Sequence, residues 1–128
     1  MKYRDLTDYI DYFSDLTNDF FEPPRKEDAF FCVRYSAPVE DFIQKIYRHL
    51  DALPKERYVD YRDDPAVRKY LTEGATVAAT MTEGEIIHFL TYFVRGERFC
   101  TGHIADLCRR GFVSPVLCRL KEIDEGKA

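Results

Sequence analysis

The run of side chains best suited to chemistry in this 128-residue sequence is Arg98-Phe99-Cys100-Thr101-Gly102-His103. A helix start at Thr101 would put Cys100 beside the positive end of the helix dipole. Arg98 adds a cation, and both effects lower a thiol pKa towards a reactive thiolate. His103, three residues on, is spaced to reach Cys100 as a base, with Glu97 the candidate for orienting it. The structural alternative gives the same residues no chemistry: Phe99 anchors a turn, Gly102 permits close packing and Arg98 pairs with an acid. Reactive cysteines need more than proximity, so the structural alternative carries more weight.

Cys100, His103, Cys108 and Cys118 are also suitable donors for tetrahedral zinc. Their C-x2-H-x4-C-x9-C spacing lacks the paired knuckles of a zinc site, and Cys108 and Cys118 fall on the apolar faces of predicted helices. They read as core cysteines, as does Cys32, and no metal or cofactor is expected.

A third constellation is electrostatic. Arg95, Arg98, Arg109, Arg110, Arg119 and Lys121 stand against two acids between residues 95 and 121, an excess of +4. With a net charge of −4 overall, the remainder carries −8. Such asymmetry fits either an anionic partner on one face or two parts of one domain facing each other. Two helices around Gly111 loosely fit a helix-turn-helix. Ser114-Pro115 begins the reading helix, however, leaving mainly Ser114, Arg119 and Lys121 as polar contacts. A protein partner or self-association therefore ranks ahead of nucleic acid. His88, on an apolar helix face, reads as a satisfied core or boundary histidine, and His49 as exposed. Glu83, Glu85 and Glu97 read as helix-start or surface charges, and the six isolated glycines form no phosphate loop.

The segment Thr82–Ile123 positions these residues as three short helices joined by two glycine turns. Thr82 and Glu85 have capping-box spacing. Ile86, Ile87, Phe89, Leu90, Phe93 and Val94 then form an apolar stripe, and Gly96 is expected to end the helix in a left-handed conformation. Thr101 is the expected cap of the next helix, with Ile104, Leu107 and Cys108 inward and Gly111 at its end. Ser114 and Pro115 are expected to open the last helix, which turns Val116, Leu117, Leu120 and Ile123 inward.

Upstream, Leu6, Tyr9, Ile10, Phe13, Leu16 and Phe20 predict an acidic amphipathic helix over Arg4–Phe21. Pro23-Pro24 breaks it. Residues 29–35 (AFFCVRY) fit a short strand, a loop or a helix start. Ser36 and Pro38 open a helix carrying Val39, Phe42, Ile43, Ile46, Leu50 and Leu53, which Pro54 stops. Residues 55–64 read as a polar loop anchored by Tyr58 and Tyr61. Asp64-Pro65 then starts a helix that ends near Gly74, and Ala75–Met81 is a small-residue link. The hydrophobic content of 45% and aromatic content of 15% suffice for one core and argue against disorder. No run approaches the roughly 18 apolar residues that cross a bilayer. The acidic N-terminus lacks the pattern of a signal peptide, and four sparse cysteines suit a reducing compartment, so a cytoplasmic protein with no membrane partner is expected.

The segment LTYFVRGERFCTGH from Leu90 to His103, followed by Gly111 and the Leu117-Cys118-Arg119-Leu120 ending, resembles a family of small uncharacterised prokaryotic proteins. Their C-terminal half carries an arginine-phenylalanine pair, a nearby glycine and a further helix. The resemblance covers residues 42–123, is strongest over Leu90–Leu120, and implies fold and boundaries but no activity. It offers no counterpart for the first forty residues.

The expectation is a single all-α domain over 1–128, a compact bundle of five or six helices with a C-terminal helix-turn-helix-like segment. A small α+β domain using residues 29–35 is the alternative. The expected function is non-enzymatic binding through the basic face at 95–121. The alternative is a small enzyme or metal-binding protein centred on Arg98, Cys100 and His103.

Overall fold

A computed structural model describes residues 2–21, 34–53 and 60–126. Cys32, Pro54, Tyr58 and most of the ambiguous 29–35 segment lie outside the described residues. The chain is an all-α bundle. Its helices are α1 (Arg4–Thr7), α2 (Ile10–Ser14), α3 (Ala37–Asp51), α4 (Pro65–Glu73), α5 (Ala75–Ala78), α6 (Glu83–Arg95), α7 (His103–Arg109) and α8 (Val113–Asp124). Single 3-10 turns precede α4 (Asp60–Asp63) and follow α6 (Gly96–Arg98). Among the described residues the only β pairing is an isolated antiparallel bridge, Phe21 with Tyr35.

Helix α6 is the axis of the bundle. Thr82 and Glu85 form the expected reciprocal capping box. Ile86, Ile87, Phe89, Leu90, Phe93 and Val94 are all buried, as their spacing requires. The helix touches α3, α4, α7, α8 and both 3-10 turns. Phe89 and Phe93 are fully buried, each contributing about 2–3 kcal/mol of apolar transfer. A relay of rings joins the N-terminal segment to this axis: Phe13 lies 4.7 Å from Phe42, and Phe42 lies 5.9 Å from Phe93. On the other side Tyr70 meets Phe89 and Phe112 edge-on, each at 5.2 Å, and donates its hydroxyl to the Phe112 carbonyl.

Several expectations need correction. The N-terminal helix is broken. Asp15 accepts hydrogen bonds from the Thr17 amide and hydroxyl, and this side-chain turn competes with helix continuation after Ser14. Leu16 is consequently half-exposed, whereas Phe20 still reaches the core. Helix α8 begins at Val113, ahead of Ser114. A Schellman turn at Gly111 (φ +76°), with the Phe112 amide on the Leu107 carbonyl and the Gly111 amide on that of Cys108, redirects the chain at once. Pro115 then sits in the first turn of α8, where its missing amide has no helical acceptor to lose. Within the expected small-residue link, Ala75–Ala78 forms a helical turn. His49 is half-buried: its Nε2 lies 2.8 Å from Asp5 and its ring packs on Tyr3. Cys108 is a core cysteine, but Cys118 is exposed on α8.

The buried hydroxyls and thiol set an alkaline limit. Burial, reinforced by the bond from Tyr3 to Glu83, pushes the Tyr3 phenol up to about 12. Burial also raises Tyr35 and Tyr70, and it pushes the Cys108 thiol up to about 12. Each acid is held neutral by the fold while the unfolded chain ionises at its ordinary pKa. The stabilisation is therefore complete below the unfolded values of 9.0 for the thiol and 10.0 for the phenols, and drains away as pH climbs towards 12. Urea midpoints should hold steady between neutral pH and 9, then fall, and Tyr3→Phe should fall less steeply. Equal midpoints at pH 8 and pH 11 would contradict this account.

Candidate functional site

The turn after α6 holds the residues singled out by their chemistry, and three contacts build it. Gly96 continues in right-handed geometry (φ −61°, ψ −25°) rather than the expected left-handed one. Its role is steric: a Cβ there would fall within 2.6 Å of three ring atoms of His103. The His103 ring also stands edge-on to Tyr92 at 4.6 Å. Its Nε2 lies 3.0 Å from the Tyr92 carbonyl, which already accepts the Gly96 amide. A carbonyl can only accept, so Nε2 carries the proton, and Nδ1 is the only nitrogen of the neutral ring able to take one up.

Glu97 supplies the third contact. Its Oε1 accepts from the Tyr35 hydroxyl at 2.6 Å and the Ile104 amide at 2.9 Å, while Oε2 accepts from the Gly102 amide at 2.7 Å. The carboxylate thus satisfies the opening amides of α7, a task expected of Thr101. Gly102, at φ +89°, occupies the cap position itself. Both Glu97 oxygens are engaged in this staple, and neither is bonded to the His103 ring. The His103 amide donates to the Cys100 carbonyl at 3.1 Å, but among the described residues no hydrogen bond joins the Cys100 thiol to the His103 ring. Both nevertheless line one groove, and Cys100 is exposed.

The expected anchor, Phe99, points outward and is 74% exposed. The Arg62 guanidinium lies 5.3 Å from its ring centre, and Arg62 Nε donates to the Tyr61 hydroxyl at 3.2 Å. With Tyr92 and Gly96 these residues complete a groove of about 420 Å³. A second hollow of about 210 Å³ shares the wall of Tyr61, Arg62 and Tyr92 and continues to Arg68 and Leu71 on α4. Asp64 lines this hollow with both oxygens engaged: Oδ1 caps α4 through the Ala66 amide at 2.9 Å, and Oδ2 meets His88 Nδ1 at 2.6 Å. His88 is thus the satisfied boundary histidine its helix face suggests.

Sequence reasoning did not single out Tyr61, Arg62, Arg68 or Tyr92 as site residues. The available signal was local: Tyr61-Arg62 lies one residue ahead of the Asp64-Pro65 helix start, where a long cation is displayed on a short turn.

The six cations of the basic stretch meet different neighbours. Arg119 is largely enclosed, donating to the Met81 carbonyl at 2.9 Å and pairing with Glu122 at 3.2 Å. Arg110 pairs with Asp106 at 3.3 Å and lies over Phe112, and Arg109 lies 4.3 Å over the Phe21 ring. Arg95 is half-buried, whereas Arg98 and Lys121 are exposed. Helix α8, expected to be the reading helix of a helix-turn-helix-like segment, packs on α1, α2, α5 and α6. Its exposed residues are Cys118, Lys121 and Glu122, a surface of mixed charge. Of the four donors considered for zinc, Cys108 is buried while Cys100 and Cys118 are exposed. Among the described residues no three His, Cys, Asp or Glu side chains converge to hold a metal ion. Also among them, no helix is long and apolar enough to cross a membrane.

Comparisons with curated proteins and with solved structures give no match. A family model does match, over residues 1–126, and so takes in the first forty residues for which no counterpart was expected. The chain therefore belongs to the family of unknown function DUF6508.

Proposed function

We propose that the protein is a non-enzymatic binding domain that engages a protein partner through the groove between the Asp60–Asp63 turn and the turn after α6. One observation carries this reading: Phe99 is displayed, 74% exposed, on a turn fixed by the Glu97 staple and the His103–Gly96 contact. An aromatic side chain held outward on a rigid support is the usual form of an interface anchor, because its ordering cost is met before the partner arrives. The basic stretch contributes chiefly through Arg98, exposed in the same turn. Arg109, Arg110 and Arg119 already have intramolecular work.

Capture from the native cells by the intact chain, in parallel with Phe99→Ala, Arg62→Glu and Cys100→Ser, tests the reading. A reproducible partner should be lost with Phe99→Ala, weakened with Arg62→Glu and retained with Cys100→Ser. Truncating a central aromatic anchor costs about 2 kcal/mol or more of binding, near thirtyfold in affinity. Folding should be unchanged, since the ring is exposed. A partner set indifferent to Phe99, or one replaced by a labelled nucleic acid that binds at near-physiological salt, would overturn it. So would a catalytic turnover abolished by Cys100→Ser.

A further inference from the structure

We propose that the groove takes a peptide segment in which a carboxylate lies beside a large apolar side chain. The apolar side chain seats against Phe99 and Tyr92, and the carboxylate meets Arg62 and Arg68. This inference rests on the protein-binding reading and names what is recognised.

The two hollows differ in character across one shared wall. At the Phe99 end the surface is an exposed ring, the half-buried Tyr92 and the His103 ring packed over Gly96. At the α4 end it offers two guanidinium groups, Arg62 and Arg68. Among the described residues neither arginine has a carboxylate within ion-pair distance. Of the carboxylates nearby, Asp64 already accepts the Ala66 amide and meets His88, while Asp63 and Glu73 line a neighbouring hollow with Arg68 without pairing to it.

Arg62 belongs to both hollows. Its Nε bond to Tyr61 and its stacking on Phe99 orient the planar fork before any ligand arrives. A pre-set guanidinium suits a carboxylate, which it can meet through two parallel hydrogen bonds. The adjoining ring supplies apolar area that a lone carboxylate would leave exposed. At about 420 Å³ the larger hollow falls within the roughly 300–1,000 Å³ range of ligand pockets. A dianionic phosphate is disfavoured because Asp64 stands in the same wall and closes the α4 amide end that would otherwise attract it.

A random peptide library displayed on phage and selected on the full chain supplies the probe. Enriched peptides are then synthesised and titrated by fluorescence anisotropy. The enriched sequences should carry Asp or Glu within about two residues of Phe, Tyr, Trp or Leu. Changing that acid to its amide should weaken binding about tenfold, the worth of one charge-assisted contact, and Arg62→Glu or Arg68→Glu should do at least as much. Arg62→Gln serves as the milder variant if Arg62→Glu disturbs the circular dichroism spectrum. Peptides that depend on Phe99 yet contain no acid and ignore both arginine changes would overturn this inference and leave the protein-binding reading standing. No enrichment, or enriched peptides indifferent to Phe99→Ala, would remove both. Displacement of a bound peptide by a nucleoside monophosphate at lower concentration than by the matching free peptide would assign the groove to small phosphate ligands and also overturn it.

Discussion

Gly96→Ala should lower the melting temperature, although residue propensities alone predict the opposite. Gly96 lies at φ −61°, ψ −25°, which alanine adopts without strain. At such a position the exchange ordinarily stabilises by about 0.4–1 kcal/mol through the unfolded state. Here the added methyl would fall within 2.6 Å of the His103 ring. That ring cannot simply swing away, because Nε2 is bonded to the Tyr92 carbonyl and the ring packs edge-on to Tyr92. Overpacking of this kind costs about 1–3 kcal/mol, and the lost hydrogen bond adds about 1 kcal/mol. The repulsive side wins by about 1–3 kcal/mol, or roughly 4–12 °C at about 4 °C per kcal/mol for a domain of this size. The double variant Gly96→Ala/His103→Ala identifies the cause. With the ring gone, alanine at 96 should stabilise by about 0.4–1 kcal/mol relative to His103→Ala alone, so the coupling should be about 1.4–4 kcal/mol. Strict additivity would show that the ring contact is not what requires glycine.

The same position shows which parts of this molecule are legible in its sequence. Several signals that act within four residues are readable. Thr82 and Glu85 form their box, Asp64 caps α4, and the stripe on α6 is buried residue by residue. Gly111 ends α7 because a Schellman turn needs only local atoms. Gly96 is different. The requirement for glycine comes from a histidine seven residues later, across a turn, and a lone glycine after an apolar stripe looks identical when it serves as a left-handed cap. The cap of α7 departs from the sequence pattern for a similar reason. Thr101 has the right side chain, but Glu97 folds back over the turn and takes the amides first, leaving Gly102 at the cap position. The N-terminal helix is shorter than its pattern predicts because apolar periodicity continues through Leu16 and Phe20 while Asp15 and Thr17 close a competing turn. The groove was the least legible feature. It joins Tyr61 and Arg62 to Phe99 and His103, residues some forty apart, and its defining property is that Phe99 is not buried. Hydrophobic pattern assigns an aromatic residue to the core by default, and only the assembled turn shows that no core lies on that side.

Glu97→Ala should be the more damaging change at this turn, because it strands three donors at once. The Ile104 amide belongs to a buried residue, the Tyr35 hydroxyl to a ring only 6% exposed, and the Gly102 amide to the α7 cap. Leaving a buried donor unsatisfied costs about 1–3 kcal/mol, and water can reach the half-exposed Gly102 amide, so a loss of about 2–5 kcal/mol is expected. Glu97→Gln discriminates between charge and geometry. Its amide oxygen can still accept from Tyr35 and Ile104, but its nitrogen would face the Gly102 amide donor to donor, so it should cost about 1–2 kcal/mol. Tyr35→Phe should destabilise the parent and have a markedly smaller effect in Glu97→Ala, since the hydroxyl has already lost its acceptor. Chemical denaturation of the four proteins gives the cycle. Equal effects of Tyr35→Phe in both backgrounds would mean that the carboxylate and the phenol do not act together. The consequence also reaches the groove. Phe99 follows the Gly96–Arg98 turn and precedes the amides that Glu97 holds. A variant that remains folded but loses this staple should therefore bind like Phe99→Ala, although its aromatic ring is intact.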